Sequence, residues 1–345
     1  MPAPSFENET MRWICLPALL VATLLTAKSV RADEAPKTLT VMTWNVEWFF
    51  DNFTEDNFTD LPKQEAAPSR EEWDWKLASV ARVIAETKPT VLCLQEIENR
   101  RVLYYLMKKL RDDHKLQYKI AYIEGEDFFT EQDVAVLYLS GLVEYSRREQ
   151  TLEDRARKEF YHLPKHLFAR FSWNEGADKD GFTLVNVHLR AAPEGASIRE
   201  RQARLVRHWL AAEFARGEQV VVIGDVNTNE LFEDTASTGD VGILRGLNTA
   251  DPADDLVDLH ERLAPERRLT HIIAKSFDRI LVSPSLLRDE PARRDWSLKQ
   301  VSVPKEVVIR GKEMDKDHLG IFWTIPQAER DVSDHWPVVA EFEWK

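Results

Sequence analysis

Acidic, amide and imidazole side chains stand at the ends of five apolar runs scattered along the chain. The segments are Thr43-Trp44-Asn45-Val46-Glu47, Leu94-Gln95-Glu96, Asn186-Val187-His188-Leu189, Gly224-Asp225-Val226-Asn227 and Ser333-Asp334-His335. Hard divalent cations and phosphate esters require converging oxygen and imidazole groups, which a single local loop seldom supplies. The five segments therefore predict one shared site.

Each residue type suggests a duty. Glu96 ends an apolar strand pattern and precedes a helical one, so its carboxylate emerges at a strand's carboxyl end, where open α/β sheets commonly place ligands. Asn45 and Glu47 leave the first strand two residues apart and add an amide and a second carboxylate suited to a hard cation. Asn45 taken alone also reads as a strand-end turn residue. Asp225 and Asn227 repeat the two-residue spacing; there a carboxylate can orient or deprotonate water, although Gly-Asp-x-Asn also reads as an Asx turn. Gly224 leaves room for close approach. His188 and His335 sit at the ends of strong strand patterns beside polar groups, and with Asp278 and Asp334 they suit phosphoryl chemistry, in which imidazolium stabilises charge on non-bridging oxygens. Asp278 can hold one imidazole in its donor tautomer. No HExxH or CxxC pattern accompanies these histidines, which argues against zinc.

The elements that must position these groups alternate between strands and helices. Apolar strand patterns occur near 39–46, 90–97, 118–124, 133–140, 167–173, 181–191, 218–226, 277–283 and 337–344. Val220-Val221-Val222-Ile223 is continuous and reads as buried on both faces, whereas Phe182, Leu184, Asn186 and His188 alternate. At least two sheets are implied. Capping boxes at Ser69-x-x-Glu72 and Ser197-x-x-Glu200 announce two helices, and a third lies near 99–112. Their aliphatic and aromatic stripes are core faces.

The N-terminus carries an apolar stretch from Trp13 to Leu25 and a small-residue pattern, Val30-Arg31-Ala32, ahead of Asp33. This predicts a signal peptide over residues 1–32, too short to span a bilayer, with Met11-Arg12 as a plausible true start. One domain over 33–345 should follow, since the middle of the chain shows no repeat or linker and the 43% apolar content is ample for a core. Of the two cysteines, Cys15 lies in the leader; Cys93, inside the apolar Thr90–Leu94 run, reads as a packed core thiol, so no internal disulfide is expected. The net charge of −13 opposes loose attachment to nucleic acid or anionic lipid. A nuclease would need metal and local arginines, for which Arg190, Arg199, Arg201 and Arg204 are candidates; a solvated helix face explains the last three equally well.

Taken together, the ordered motifs resemble the endonuclease/exonuclease/phosphatase superfamily over roughly 39–345. Thr43–Asp51 and Gln132–Tyr138 look most like its secreted bacterial members. The resemblance implies an α+β, four-layer αββα sandwich of two packed, mainly antiparallel sheets flanked by helices, with the site at one edge of both sheets. It implies that Asn45 and Glu96 hold Mg²⁺ (Mn²⁺ or Ca²⁺ being alternatives), with Glu47 and Asp334 as supporting ligands. Asp225 would orient or deprotonate water beside Asn227, and His335, oriented by Asp278, would contact the phosphate. His188 would assist at the leaving group or a non-bridging oxygen. Val185 stands where the abasic-site branch has tyrosine, which argues against abasic-site repair, and Glu47 replaces an aspartate common in some branches.

The expected activity is in-line attack of water on a phosphodiester, in nucleic acid before a phosphatase substrate or a phospholipid. A catalytically silent binding protein is disfavoured because Glu96, Asp225 and His335 are all present. The expected protein is a secreted or periplasmic monomer with no stable membrane insertion. The aromatic and acidic segment from Trp48 to Trp75 reads as a lid, a base-stacking surface or a membrane-touching loop, or as aromatics packing an irregular loop.

Overall fold

Parallel pairing of two strands lies at the centre of each of two sheets, and it is this pairing that brings the strand ends together. The computed structural model describes residues 35–173, 181–228, 238–289 and 295–345. The expected leader over 1–32 lies outside them. The strands are β1 (Thr38–Phe49), β2 (Val91–Ile97), β3 (Lys119–Ala121), β4 (Asp133–Tyr138), β5 (Leu142–Ser146), β6 (His166–Phe171), β7 (Phe182–His188), β8 (Val220–Asp225), β9 (Val257–Asp258), β10 (Asp278–Val282), β11 (Trp296–Ser302) and β12 (Val338–Trp344). One sheet has the order β11-β12-β1-β2-β4-β3 and the other β5-β6-β7-β8-β10-β9. Among the described residues only β1/β2 and β7/β8 are parallel, and the other neighbours are antiparallel.

Three apolar clusters define the layers. Val41, Val91, Cys93, Val136 and Ala340 of the first sheet meet Leu167, Leu184, Ile223 and Ile280 of the second. The helices are α1 (Asp60–Glu65), α2 (Arg70–Thr87), α3 (Arg100–His114), α4 (Leu152–Ala156), α5 (Ala196–Ala215), α6 (Asp240–Arg245) and α7 (His318–Ile321). Val80, Ile84, Val102 and Leu106 from α2 and α3 cover Trp44, Leu92 and Leu94 on the outer face of the first sheet. Val206, Leu210 and Leu244 from α5 and α6 cover Val185, Val187 and Val222 on that of the second. Each such aliphatic side chain removed from water contributes about 1.5–3 kcal/mol. The expected αββα sandwich is the observed fold, with Cys93 buried between the sheets.

Local details differ from expectation where tertiary context intervenes. Ser69 caps α2 as its box predicts, accepting from Glu72 N. Ser197 does not cap α5: the preceding turn, Pro193–Gly195, is already helical, so α5 begins at Ala196 and Ser197 lies inside it. The patterns near 118–124 shorten to Lys119–Ala121. Strands β5, β9 and β11 carried no expectation; β9 has only two residues, and β5 is largely exposed at a sheet edge.

Candidate active site

Topology explains why distant segments converge. β1, β2, β7 and β8 end on the same edge, and β10 and β12, antiparallel to β8 and β1, begin there. Register then sets neighbours side by side: Asn45 opposes Gln95, and Asp225 lies between His188 and Asp278. The alternation noted along β7 aims Asn186 between the sheets, where it accepts from Gln95 Nε2 at 2.7 Å and donates to Leu94 O and Ala135 O. This buried polar rung joins the sheets just beneath the site and is fully satisfied, so it adds specificity without an unpaired group.

The backbone at the edge is bent to present the polar groups. Glu47, Trp48, Glu96 and Asn227 all have positive φ, of 50°, 41°, 62° and 50°. The β1/β2 and β2/β4 registers shift around Glu96. Such conformations cost roughly 1–3 kcal/mol each and persist only where surroundings over-determine them. Here Trp48 N donates to Glu96 Oε2 at 2.8 Å and Asn227 N to Asp225 Oδ1 at 2.9 Å, so the bend is stabilised by the carboxylates it positions.

Asn45 links the two halves. Its Nδ2 donates to Glu96 Oε1 and to Asp225 Oδ2, each at 3.0 Å, while its Oδ1 accepts Glu47 N at 3.0 Å. Asn45 thus tethers the two carboxylates, and its Oδ1, which accepts one hydrogen bond, keeps a second lone pair for the cation it is expected to help hold. Glu47 is also engaged: both oxygens meet His318 Nε2, at 3.0 and 2.8 Å, and Oε2 accepts Asp334 N at 3.1 Å. Its carboxylate is directed to that pair, so a supporting metal contact from it would compete with three hydrogen bonds.

His335 lies among acids. Its Nδ1 is 2.8 Å from Asp278 Oδ2, and its Nε2 is 3.8 Å from Asp225 Oδ2 and 3.9 Å from Asp334 Oδ1. Burial opposes its protonation, but Asp278, Asp334 and Asp225 outweigh burial and raise its pKa well above the usual histidine value. His188 behaves oppositely. Burial, assisted by the charges of Lys165 and His335, pushes its pKa well down, so the ring is neutral, with Nε2 at 3.5 Å from Asp225 Oδ2. Burial also raises Asp225, against the opposing effect of His335. Asp334 is held below the ordinary range by His335 and His271 despite burial.

Two histidines of the site carried no expectation from sequence. His271 lies on a turn without strand periodicity; its Nε2 is 3.2 Å from Asp334 Oδ2 and its ring packs edge-on against His335 at 4.4 Å. His271, Asp334 and His335 present ligand atoms within 4.8 Å of one another. His271 Nδ1 accepts Ile273 N at 3.1 Å, however, so in the neutral ring the proton sits on Nε2 and is donated to Asp334. His271 therefore orients Asp334 and offers no free lone pair. His318 comes from a segment with no periodic pattern, and only its contact with Glu47 reveals it.

The donor set fits a hard cation. Burial pushes Glu96 up to about 7, the Asp334 carboxylate adding to it, and a bound cation would favour the charged form of both. Arg199 behaves otherwise than expected, whereas Arg201 and Arg204 stay partly exposed on α5. Arg199 is neither solvated nor directed at the site: fully buried, it donates to Asp240 Oδ2 at 2.7 Å and to Arg190 O and Ala192 O.

The model of the Endonuclease/Exonuclease/phosphatase family matches residues 42–335. No curated protein sequence matches the chain. Among solved structures, truncated TDP2 of Caenorhabditis elegans is similar at 17% identity and a TM-score of 0.52, covering 89% of this chain and 98% of that one. The catalytic domain of human Nocturnin is similar at 14% identity and a TM-score of 0.55, with 90% and 96% covered. A family protein from Bacteroides thetaiotaomicron gives 15% identity, a TM-score of 0.53 and coverage of 90% and 99%. These similarities concern the fold; the family match spans every strand end that builds the site, and the chain belongs to the endonuclease/exonuclease/phosphatase family of metal-dependent phosphoester hydrolases.

Proposed function

We propose that the protein is an exported Mg²⁺-dependent phosphodiesterase that hydrolyses nucleic acid by in-line attack of water, acting as a monomer after removal of residues 1–32. The observation that carries the reading is the facing of a protonated His335, backed by Asp278, with Asp225, backed by Asn227 and tethered through Asn45 to Glu96.

Glu96 and Asp334 would hold the cation. When bound, it polarises the phosphate and lowers the pKa of attacking water. Asp225, its pKa raised by burial, is a stronger base than a solvated aspartate and takes the proton from water. His335 donates Nε2–H to a non-bridging oxygen while its Nδ1–H is given to Asp278, so positive charge meets the charge that grows in the transition state. Neutral His188 contributes a hydrogen bond at the leaving group or a non-bridging oxygen. Among the described residues no group is placed as a covalent nucleophile.

Support for a nucleic-acid substrate comes from two loops that leave the site. Phe53 and Phe58 follow Trp48; Phe128 and Phe129 lie beside Asp127, whose partner Lys165 accepts His188 N through its carbonyl. These phenylalanines are 50%, 84%, 75% and 65% exposed. Phe58 N and Thr59 N both donate to Glu131 Oε1 at 2.8 Å, which ties the loops into one rim. Unpaired bases stack on such rings with little sequence preference. The same rim favours a second reading. It carries many carboxylates, among them Glu55, Asp56, Glu126 and Glu131, and a phospholipid with an outward quaternary ammonium suits aromatic rings among acids better than a polyanion does. Among the described residues no helix is long and apolar enough to cross a membrane.

The mature chain would be incubated with single-stranded DNA, duplex DNA, RNA, sphingomyelin vesicles and an inositol phosphate, each with Mg²⁺ and with chelator. Mg²⁺-dependent cleavage of the nucleic acids is expected. Turnover of lipid alone would overturn the nucleic-acid preference, and no turnover of any phosphodiester would overturn the enzyme reading.

A further inference from the structure

Between β11 and β12 the chain runs from Val303 to Val332 as a strap with little regular structure, clasped to the first two helices. Arg330 Nη1 meets Glu72 Oε2 at 2.5 Å, Arg310 Nη2 meets Ser79 Oγ at 3.1 Å, and Arg82 Nη2 meets Val307 O at 2.7 Å. Trp323 Nε1 donates to Glu65 O at 3.1 Å. From α7, within this strap, His318 points inward and is 1% exposed.

His318 ends on Glu47 and on little else. Its Nε2 is 2.8 Å from Glu47 Oε2, and its ring packs against Phe322 at 4.9 Å. Lys76, fully buried, stands 3.9 Å from the same carboxylate oxygen and 4.5 Å from the Phe322 ring, while its ammonium donates to Val332 O at 2.7 Å. Glu47 Oε2 also accepts Asp334 N at 3.1 Å. A carboxylate this buried is costly unless its oxygens are paired, and removing one partner leaves the charge uncompensated. A strap that served only to cover apolar surface would not need a histidine aimed at a carboxylate hydrogen-bonded to the Asp334 backbone.

We propose that His318 and Glu47 form a positioning pair for Asp334: the strap delivers the imidazole, the imidazole fixes Glu47, and Glu47 fixes the backbone that presents Asp334 to the cation. The pair acts from one side as His271 acts on the Asp334 carboxylate from the other. Neither His318 nor Glu47 touches the phosphate. The inference rests on the proposed reading of Asp334 as a metal ligand.

The test is Mn²⁺ affinity of the full mature chain, read from the free-ion electron paramagnetic resonance signal, with a thermal melt in chelator run in parallel. His318→Ala should weaken Mn²⁺ binding about tenfold or more, and His318→Gln, which keeps an N–H donor, should recover most of it. A His318→Ala affinity within twofold of wild type overturns the proposal, whatever the melt shows. Should His318→Ala not fold, Glu47→Gln decides: it keeps an oxygen for Asp334 N–H, so a loss under about threefold supports positioning and a loss of tenfold or more, the mark of a direct ligand, overturns it. Asp334→Asn separates the two levels. If it binds Mn²⁺ as wild type does, the metal reading fails; if it loses binding while His318→Ala does not, only the positioning pair fails.

Discussion

Asp278 Oδ2 lies 2.8 Å from His335 Nδ1, and the pair joins segments 57 positions apart. Asp278 opens β10 and His335 precedes β12, and they become neighbours because both strands begin on the edge where β8 and β1 end or pass. The carboxylate orients the ring and sustains its positive charge. Asp278→Asn keeps the shape and removes the charge, so kcat should fall by about 10²–10⁴-fold with the fold intact, and His335→Ala by at least as much. Steady-state kinetics at saturating Mg²⁺ with circular dichroism checks this. A kcat within threefold of wild type for Asp278→Asn would sink the orienting role.

Arg199 and Asp240 form a buried pair at 2.7 Å, and the same guanidinium holds the carbonyls of Arg190 and Ala192 just beyond His188. Truncating one member of such a pair strands the other charge. Arg199→Met should cost about 3–5 kcal/mol in urea unfolding. Arg204→Met, on the partly exposed side of α5, should change stability by less than about 0.5 kcal/mol.

Gly224 has φ of +138°, and a Cβ there would overlap Val187 O of the parallel neighbour β7. The overlap is with backbone, which cannot swing aside. Gly224→Ala should therefore destabilise by about 3 kcal/mol or more or separate β7 from β8, and it should lower activity in the remaining folded fraction because His188 and Asp225 follow directly on both strands. Equilibrium unfolding would show it; near-wild-type stability is the contrary outcome.

His166 begins β6, accepts Arg148 N through Nε2 at 3.1 Å, donates Nδ1–H to Leu163 O at 2.8 Å and stacks on Trp209. Burial, with the charge of Arg147, lowers its pKa to about 3. The folded state thus binds fewer protons than the unfolded chain between about 6.5 and 3, and its contribution to stability is present above 6.5 and lost as pH falls through that window. His166→Gln lacks this dependence. Its stability deficit at pH 7 should shrink by up to about 1.4 kcal/mol for each pH unit below 6.5, measured by urea titration at pH 7, 6 and 5. A constant deficit would contradict a neutral buried ring.

Legibility followed the range of the interactions involved. Strand patterns were readable because burial imposes continuous apolar runs, as in β2, β8 and β10, or alternation, as in β7, and the site residues stand where those patterns stop. Ser69 was readable as a cap because its partner is three residues away. Ser197 misled, since the same local signal cannot tell a cap from the interior of a helix whose preceding turn is already wound. Arg199 misled as well: helical spacing places it on the face that α6 covers, and only packing shows Asp240 there.

The sequence by itself determined the strand-end motifs, the fold class through their resemblance to a family, and most of the site's chemical groups, since side-chain type, strand period and the residues at strand ends are local properties. Tertiary structure alone decided how each oxygen and ring nitrogen is used. Glu47 faces His318 across 271 positions, and Trp44 Nε1 donates to His335 O across 291. His271, on a turn with no period, is bound to Asp334. Hydrogen bonding of a buried carboxylate depends on whichever segment the sheets bring to it, and no pattern along the chain records that choice.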